Sequence, residues 1–219
     1  GFVFLLIVLA VSITLLASFL LSKTILRGVP SAFVLELPPY RRPKLGEVIV
    51  RSMLDRTIFV LARAVTVAIP AGAVIWLCQN IMVNGHTLLY GMATLLEPLG
   101  ACMGLSGVIL MAFLLGIPAN EIVIPILLMV YSQSGTLVEA EGIAQAGAIL
   151  AANGWTWVTA VCVILFSLNH FPCATTLLTI RKETGSLLWT GVSFLLPTVV
   201  GMLLCIAVHL LALLVGIFF

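Results

Sequence analysis

The chain has 219 residues, of which 62% are hydrophobic and 8% charged, with a formal net charge of +2. Soluble domains carry about a quarter charged residues, so the composition excludes a soluble globular domain and makes the lipid bilayer the expected partner. The small net charge says little by itself, and no nucleic-acid partner is expected.

The first apolar run, 2–21, is long enough to span a membrane. It has no basic segment before it and no small-residue cleavage site after it, so it is not read as a signal peptide; a start at Gly1 is expected of a fragment of a longer protein. "LELPPYRRP" (35–43) favours extended backbone through its prolines. From Gly46 the pattern turns helical, with Glu47, Arg51 and Asp55 on one polar face, and predicts an interfacial helix leading to a second span over 57–79. That span contains Arg63, read as an interface anchor, and Pro70, read as a kink.

Residues 84–105 are interrupted by Gly and by Glu97-Pro98 and are expected to form short amphipathic helices on the outer surface, with His86 in a solvated turn. Two apolar runs, 107–117 and 122–131, flank "IPANE"; each is half a span, and together they predict a re-entrant hairpin with its tip at Pro118–Glu121. Glu139 and Glu141 fall in a short outer helix. The run 155–180 breaks at "NHFPC", and 188–219 crosses last, tilted or kinked at Pro197.

Charge placement orients these elements. Lys23, Arg27, Arg41, Arg42, Lys44, Arg51 and Arg56 share one connection, and Arg181 and Lys182 another, so both face the cytoplasm. The expected class is therefore all-α: a polytopic α-helical membrane protein with a re-entrant hairpin and discontinuous helices. Its organisation is a transmembrane helix at 1–22, a cytoplasmic connection and interfacial helix at 23–56, and a transmembrane domain at 57–219 broken at 116–121 and 169–173.

The two breaks read alike: apolar residues, Pro118 or Pro172, a small residue, polar groups, then an apolar half-helix. Irregular backbone at membrane depth is tolerated only where it lines a cavity or is buried in protein, and paired breaks of this kind point to a transporter's binding site. Glu121 is an acid in an apolar neighbourhood, where a charge costs about 2.5–3.5 kcal/mol on insertion scales. It is expected in the first turn of a half-helix capped by Asn120. Cys173 follows Pro172 and is expected in the first turn of the other half-helix, where the dipole favours an anion.

Carbonyls freed at Asn169, together with Cys173, His170 and Glu121, compose a cation site, and the mixed ligand set suits a first-row transition metal such as Fe²⁺, Mn²⁺ or Zn²⁺ rather than Mg²⁺. His170 has an alternative reading as a hydrogen-bond partner of the freed backbone. Ser167, Thr175 and Thr176 are read as bonding back to helix carbonyls. Cys78, Cys102, Cys162 and Cys205 show no C-x-x-C pair or zinc-finger spacing and are read as small apolar packing residues.

"GIPANEIVIPILL" (116–128), "HFPCATTLLTIRKETGS" (170–186) and "LELPPYRRP" resemble the carboxy-terminal membrane half of the ferrous iron transport protein B family, the part containing its second Gate region. The resemblance implies Fe²⁺ as the transported substrate, with no bound cofactor in this chain, carried across the bacterial inner (cytoplasmic) membrane. Cys173 matches the family's metal-path cysteine, and Pro118, Asn120 and Glu121 match its Pro-x-Asn-Glu element. It implies as partners an amino-terminal GTPase domain and a first Gate half of the same protein, small cytoplasmic proteins of the same iron-transport system, and a homo-oligomer. The sequence has no G-x-x-x-x-G-K-[ST], so GTP binding by that route is not expected of this chain, which is read as a permease portion and not an enzyme.

Three other readings stay open from the residues alone. One is a nucleoside-type solute carrier that uses Asn120 and Glu121 as hydrogen-bonding groups. Another is an intramembrane hydrolase with His170 as base, Cys173 as nucleophile and Glu121 as orienter. The last is a structural module whose breaks serve packing.

Overall fold

The computed structural model describes residues 2–24, 45–83, 85–132 and 142–216. The chain forms two units, residues 1–56 and 57–219. The first holds α1 (Phe2–Thr24) and α2 (Leu45–Ser52), the helix expected from Gly46. Within α1, Ser12 and Thr14 donate to the carbonyls of Val8 and Ala10 at 2.8 Å, which satisfies their hydroxyls in an apolar helix. Lys23 lies in its last turn with Nζ 4.4 Å from the Phe19 ring centroid. The Pro-rich connection around "LELPPYRRP", the Arg63 side chain, and Glu139 with Glu141 lie outside the described residues.

The second unit opens with α3 (Phe59–Asn80), an apolar helix with Pro70 inside it. A two-residue antiparallel ribbon follows, β1 (Met82–Val83) paired with β2 (His86–Thr87). His86 is not in an open turn: it sits in β2 with its exposed ring stacked on Tyr90 at 4.8 Å.

Next comes α4 (Leu88–Cys102), and here the structure departs from expectation: 15 residues form one helix straight through Glu97-Pro98. Thr87 caps it by accepting from the Tyr90 N–H. The Glu97 carboxylate is used elsewhere, accepting the Gly107 N–H at 2.7 Å at the start of α5 (Gly107–Leu115). The turn at Met103–Ser106 bends α4 and α5 to 113°, so they form a broken pair rather than separate surface helices.

Seven of the nine residues of α5 are buried, which makes it an interior helix. Its lack of a polar face is what a helix packed all round requires. Helix α4 crosses it closely, and α6 (Val123–Ser132) lies against it beyond the first break. After α7 (Ile143–Ala152) come α8 (Trp157–Asn169) and α9 (Ala174–Thr184), interrupted at 170–173. The last helix, α10 (Leu187–Val215), contains Pro197 and packs along α8 and α9. Cys162 of α8 and Cys205 of α10 are fully buried, each thiol facing the other's carbonyl at 3.9 and 3.3 Å, and so serve the packing role expected of them.

Among the described residues, four stretches are long and apolar enough to cross a membrane, Phe4–Thr24, Val60–Asn80, Trp157–Thr184 and Leu187–Val215, or five if the bent α4–α5 pair is one span. The all-α polytopic class therefore holds, and the single two-residue ribbon is the only strand pairing among the described residues.

The α4–α5 crossing depends on the absence of a side chain at Gly107. A Cβ there would run into the Ala93 carbonyl oxygen and come within 2.7 Å of the Glu97 backbone nitrogen. Gly107→Ala is therefore expected to destabilise the fold by about 1–3 kcal/mol, the range for overpacking. Thermal unfolding in detergent, with wild type alongside, measures it; an unchanged midpoint contradicts this account of the crossing.

Candidate functional site

The first break begins where α5 ends. The Gly116 N–H still reaches the carbonyls of Ala112 and Phe113, at 2.9 and 3.1 Å, but Pro118 has no N–H to continue the ladder. Ala119 turns extended (φ −152°, ψ 116°), and a short 3₁₀ turn, Asn120–Ile122, leads into α6. The return is tight at Gly116, where a Cβ would meet Val123 Cγ2 at 2.5 Å. Asn120 does not cap a helix as expected. Ala119 occupies the capping position, and the side chains of Asn120 and Glu121 are left exposed at the tip.

The second break begins at the end of α8. His170 has extended backbone (φ −78°, ψ 177°), and Phe171, Pro172 and Cys173 run without regular structure before α9 starts at Ala174. Cys173 is the residue just before the first helical turn rather than within it as the sequence implied, with φ −62° and ψ 158°.

The two breaks are joined directly. Ala174 N–H donates to the Ile117 carbonyl at 2.8 Å. Each partner is a backbone group that its own broken helix has left free, so the second tip satisfies the first.

Beside this junction a cavity of about 430 Å³ lies against α3. Asn120, Glu121, Cys173 and Thr175 supply its polar lining, and Ala68 and Gly72 are among the small residues facing them from α3. Those two positions flank the midpoint of Val60–Asn80, a stretch long and apolar enough to cross a membrane. Three of the four residues expected to bind a cation, Glu121, Asn120 and Cys173, thus come together around one space.

His170 does not line that space. Its Nδ1–H donates to the Ser167 carbonyl at 2.8 Å, and its ring lies among Phe113, Phe166 and Phe171, with centroids 5.2, 6.0 and 5.1 Å away. Its Nε2 is buried without a hydrogen-bond partner. Three or more His, Cys, Asp and Glu side chains are nowhere clustered among the described residues. Cys173 Sγ instead meets Thr175 Oγ1 and Thr176 Oγ1, both at 3.1 Å. Those hydroxyls therefore do not bond back to carbonyls as expected. With Ser167 as the partner of His170 and the two threonines as partners of Cys173, the base–nucleophile pairing of a hydrolase is not formed.

Residues 61–187 match the Gate family model, described as nucleoside recognition, and residues 3–56 match the model described as ferrous iron transport protein B C terminus. The chain belongs to the ferrous iron transport protein B family. Relatives named Fe(2+) transporter FeoB run across most of it. The one from Staphylococcus aureus is 29% identical over 210 residues, covering 90% of this chain and 29% of the relative. Those from Methanocaldococcus jannaschii and Synechocystis are 27% and 30% identical, covering 81% and 78% of this chain and 27% of each relative. The chain therefore spans less than a third of the length of the curated relatives it matches. No solved structure matches it. Membership of this family makes the chain a multi-pass protein of the inner (cytoplasmic) membrane, in line with its four candidate spans.

The Ala174–Ile117 hydrogen bond can be removed alone. Proline suits the first position of a helix and also suits the extended Cys173 before it, so Ala174→Pro deletes the donor and keeps α9. A buried carbonyl left unpaired costs about 1–3 kcal/mol, and the tips are expected to part. The readout is labelling of Cys173 by a membrane-permeant maleimide, which should be faster in the variant; unchanged labelling and stability contradict the junction.

Proposed function

We propose that this chain is the membrane permease portion of a ferrous iron transporter, and that Fe²⁺ passes through the cavity between the two joined breaks and α3. The observation that carries this reading is that Cys173 and Glu121, from two breaks 52 positions apart in sequence, line one cavity beside the middle of the apolar helix α3. A thiolate, a carboxylate and the Asn120 amide oxygen form a mixed set suited to a borderline first-row metal and ill-suited to Mg²⁺. The relatives named Fe(2+) transporter support iron as the specific cargo. His170 takes no part in this ligand set; its Nδ1–H holds the end of α8 through Ser167.

Such a site has to bind weakly, because an ion that crosses must leave again. Two or three protein donors in an open cavity meet that requirement, with water filling the remaining coordination positions. In the intact protein, passage is coupled to an amino-terminal GTPase domain, and a first Gate half and small cytoplasmic proteins of the same system act with it. Any GTP hydrolysis belongs to that GTPase domain.

In the full-length transporter, Cys173→Ser and Glu121→Ala are each expected to reduce radioactive Fe²⁺ uptake to background while the protein stays in the membrane at wild-type level. Normal uptake by both variants overturns the reading. Inhibition of uptake by nucleosides, with none by Mn²⁺, would favour the solute-carrier alternative that the description of the Gate model brings to mind.

A further inference from the structure

Hydroxyl groups in apolar helices ordinarily bond back to a carbonyl one turn earlier, and on α9 itself Thr179 and Thr184 do so, with the carbonyls of Thr175 and Ile180 at 2.9 and 2.7 Å. Thr175 and Thr176 cannot do the same. They lie in the first turn of α9, and the preceding backbone, Phe171–Cys173, belongs to no helix, so no helical carbonyl stands behind them. Both hydroxyls turn instead to one sulfur, Cys173 Sγ, at 3.1 Å each.

The consequence concerns the bonding capacity of that sulfur. When Cys173 takes a divalent ion, its thiol proton leaves to the water of the cavity and the sulfur becomes a thiolate; release of the ion reverses the exchange. A thiolate only accepts, so both threonines then donate to it. Of its three lone pairs, two are engaged by hydroxyls and one is left for a single ion. Hydrogen bonds to a ligand atom draw charge from it and tune the metal it holds. The bond most weakened is the most covalent one, that to a strongly thiophilic ion such as Cd²⁺.

We propose that Thr175 and Thr176 are specificity-determining residues: their paired hydroxyls keep the Cys173 sulfur a weak ligand for one ion, so that a borderline cation passes and thiophilic divalent ions do not lodge. This rests on Cys173 being a ligand for the transported metal, as proposed above.

The test uses the full-length transporter reconstituted in proteoliposomes, with radioactive Fe²⁺ as cargo and Cd²⁺ as the probe of sulfur affinity. Changes around a metal ligand shift affinity by about 10–100-fold, so Thr175→Val and Thr176→Val are each expected to lower the Cd²⁺ concentration that halves uptake by about ten-fold or more. Thr175→Ser and Thr176→Ser keep the hydroxyl and are expected to retain wild-type Cd²⁺ sensitivity. If a valine variant fails to reach the membrane, the alanine variant at that position removes the same hydroxyl. Wild-type sensitivity in the variants that lack the hydroxyl overturns the proposal, and so does equal sensitisation by the serine variants, which would make the methyl group responsible. Cys173→Ser separates the two levels. If it retains uptake, Cys173 is not a required ligand and this inference falls with that assignment, whatever Glu121→Ala does; if it loses uptake while the valine variants behave as wild type, only this inference falls.

Discussion

One hydrogen bond organises this molecule: the Ala174 N–H donated to the Ile117 carbonyl. A helix that stops inside a bilayer leaves backbone groups with no water to turn to, and a chain with two such stops has the problem twice. Here each stop answers the other. The consequence is positional, because Cys173 precedes Ala174 and Glu121 follows Ile117 by four residues, so joining the backbones delivers the thiol and the carboxylate to one cavity. The chemistry of the site is a by-product of satisfying the backbone.

The packing around that junction gives it a rigid support. Helix α5, which carries the first break, is enclosed on nearly every side, and its close crossing with α4 is possible because Gly107 has no side chain. The edge-on contact of Phe113 and Phe166, 4.8 Å between centroids, links the ends of the two helices that break. His170 belongs to this support. Its Nδ1–H takes up the Ser167 carbonyl, and its ring extends the aromatic cluster, which Phe171 continues by stacking on Phe194 of α10 at 5.0 Å. Cys173 and Glu121 have no comparable packing partner and open onto the cavity. The proposed ligand Cys173 and the packed His170 thus lie three residues apart in the same break.

A transport site also has to be imperfect. Glu121 and Asn120 are exposed at the tip and Cys173 is half-buried, which leaves room for water to complete a shell and for an ion to exchange it. The threonine pair on the sulfur fits the same logic, since a bare thiolate would hold soft ions too long. The cavity wall on the α3 side is made of alanines, Gly72 and Ile75, which offer no side-chain donor.

The residues by themselves determined the membrane class, the spans and both breaks, because those follow from hydrocarbon thickness and from the inability of proline to continue a helix, properties visible over a window of about 20 residues. They also singled out Cys173, Glu121 and Asn120, since polar groups in apolar runs are conspicuous. Glu97 was visible only as part of an apparent helix breaker, because its role as acceptor for the Gly107 N–H depends on a turn between α4 and α5 that no periodicity encodes. The pairing of Thr175 and Thr176 with sulfur escaped for a similar reason: back-bonding is the general habit of threonine, and only the non-helical backbone at Phe171–Cys173 denies it. For His170 the choice between ligand and support was open in the sequence, and the direction of its ring is set by the aromatic side chains of three segments. Tertiary structure alone decided which polar groups share a space, because that depends on which backbone groups the two broken helices leave for each other.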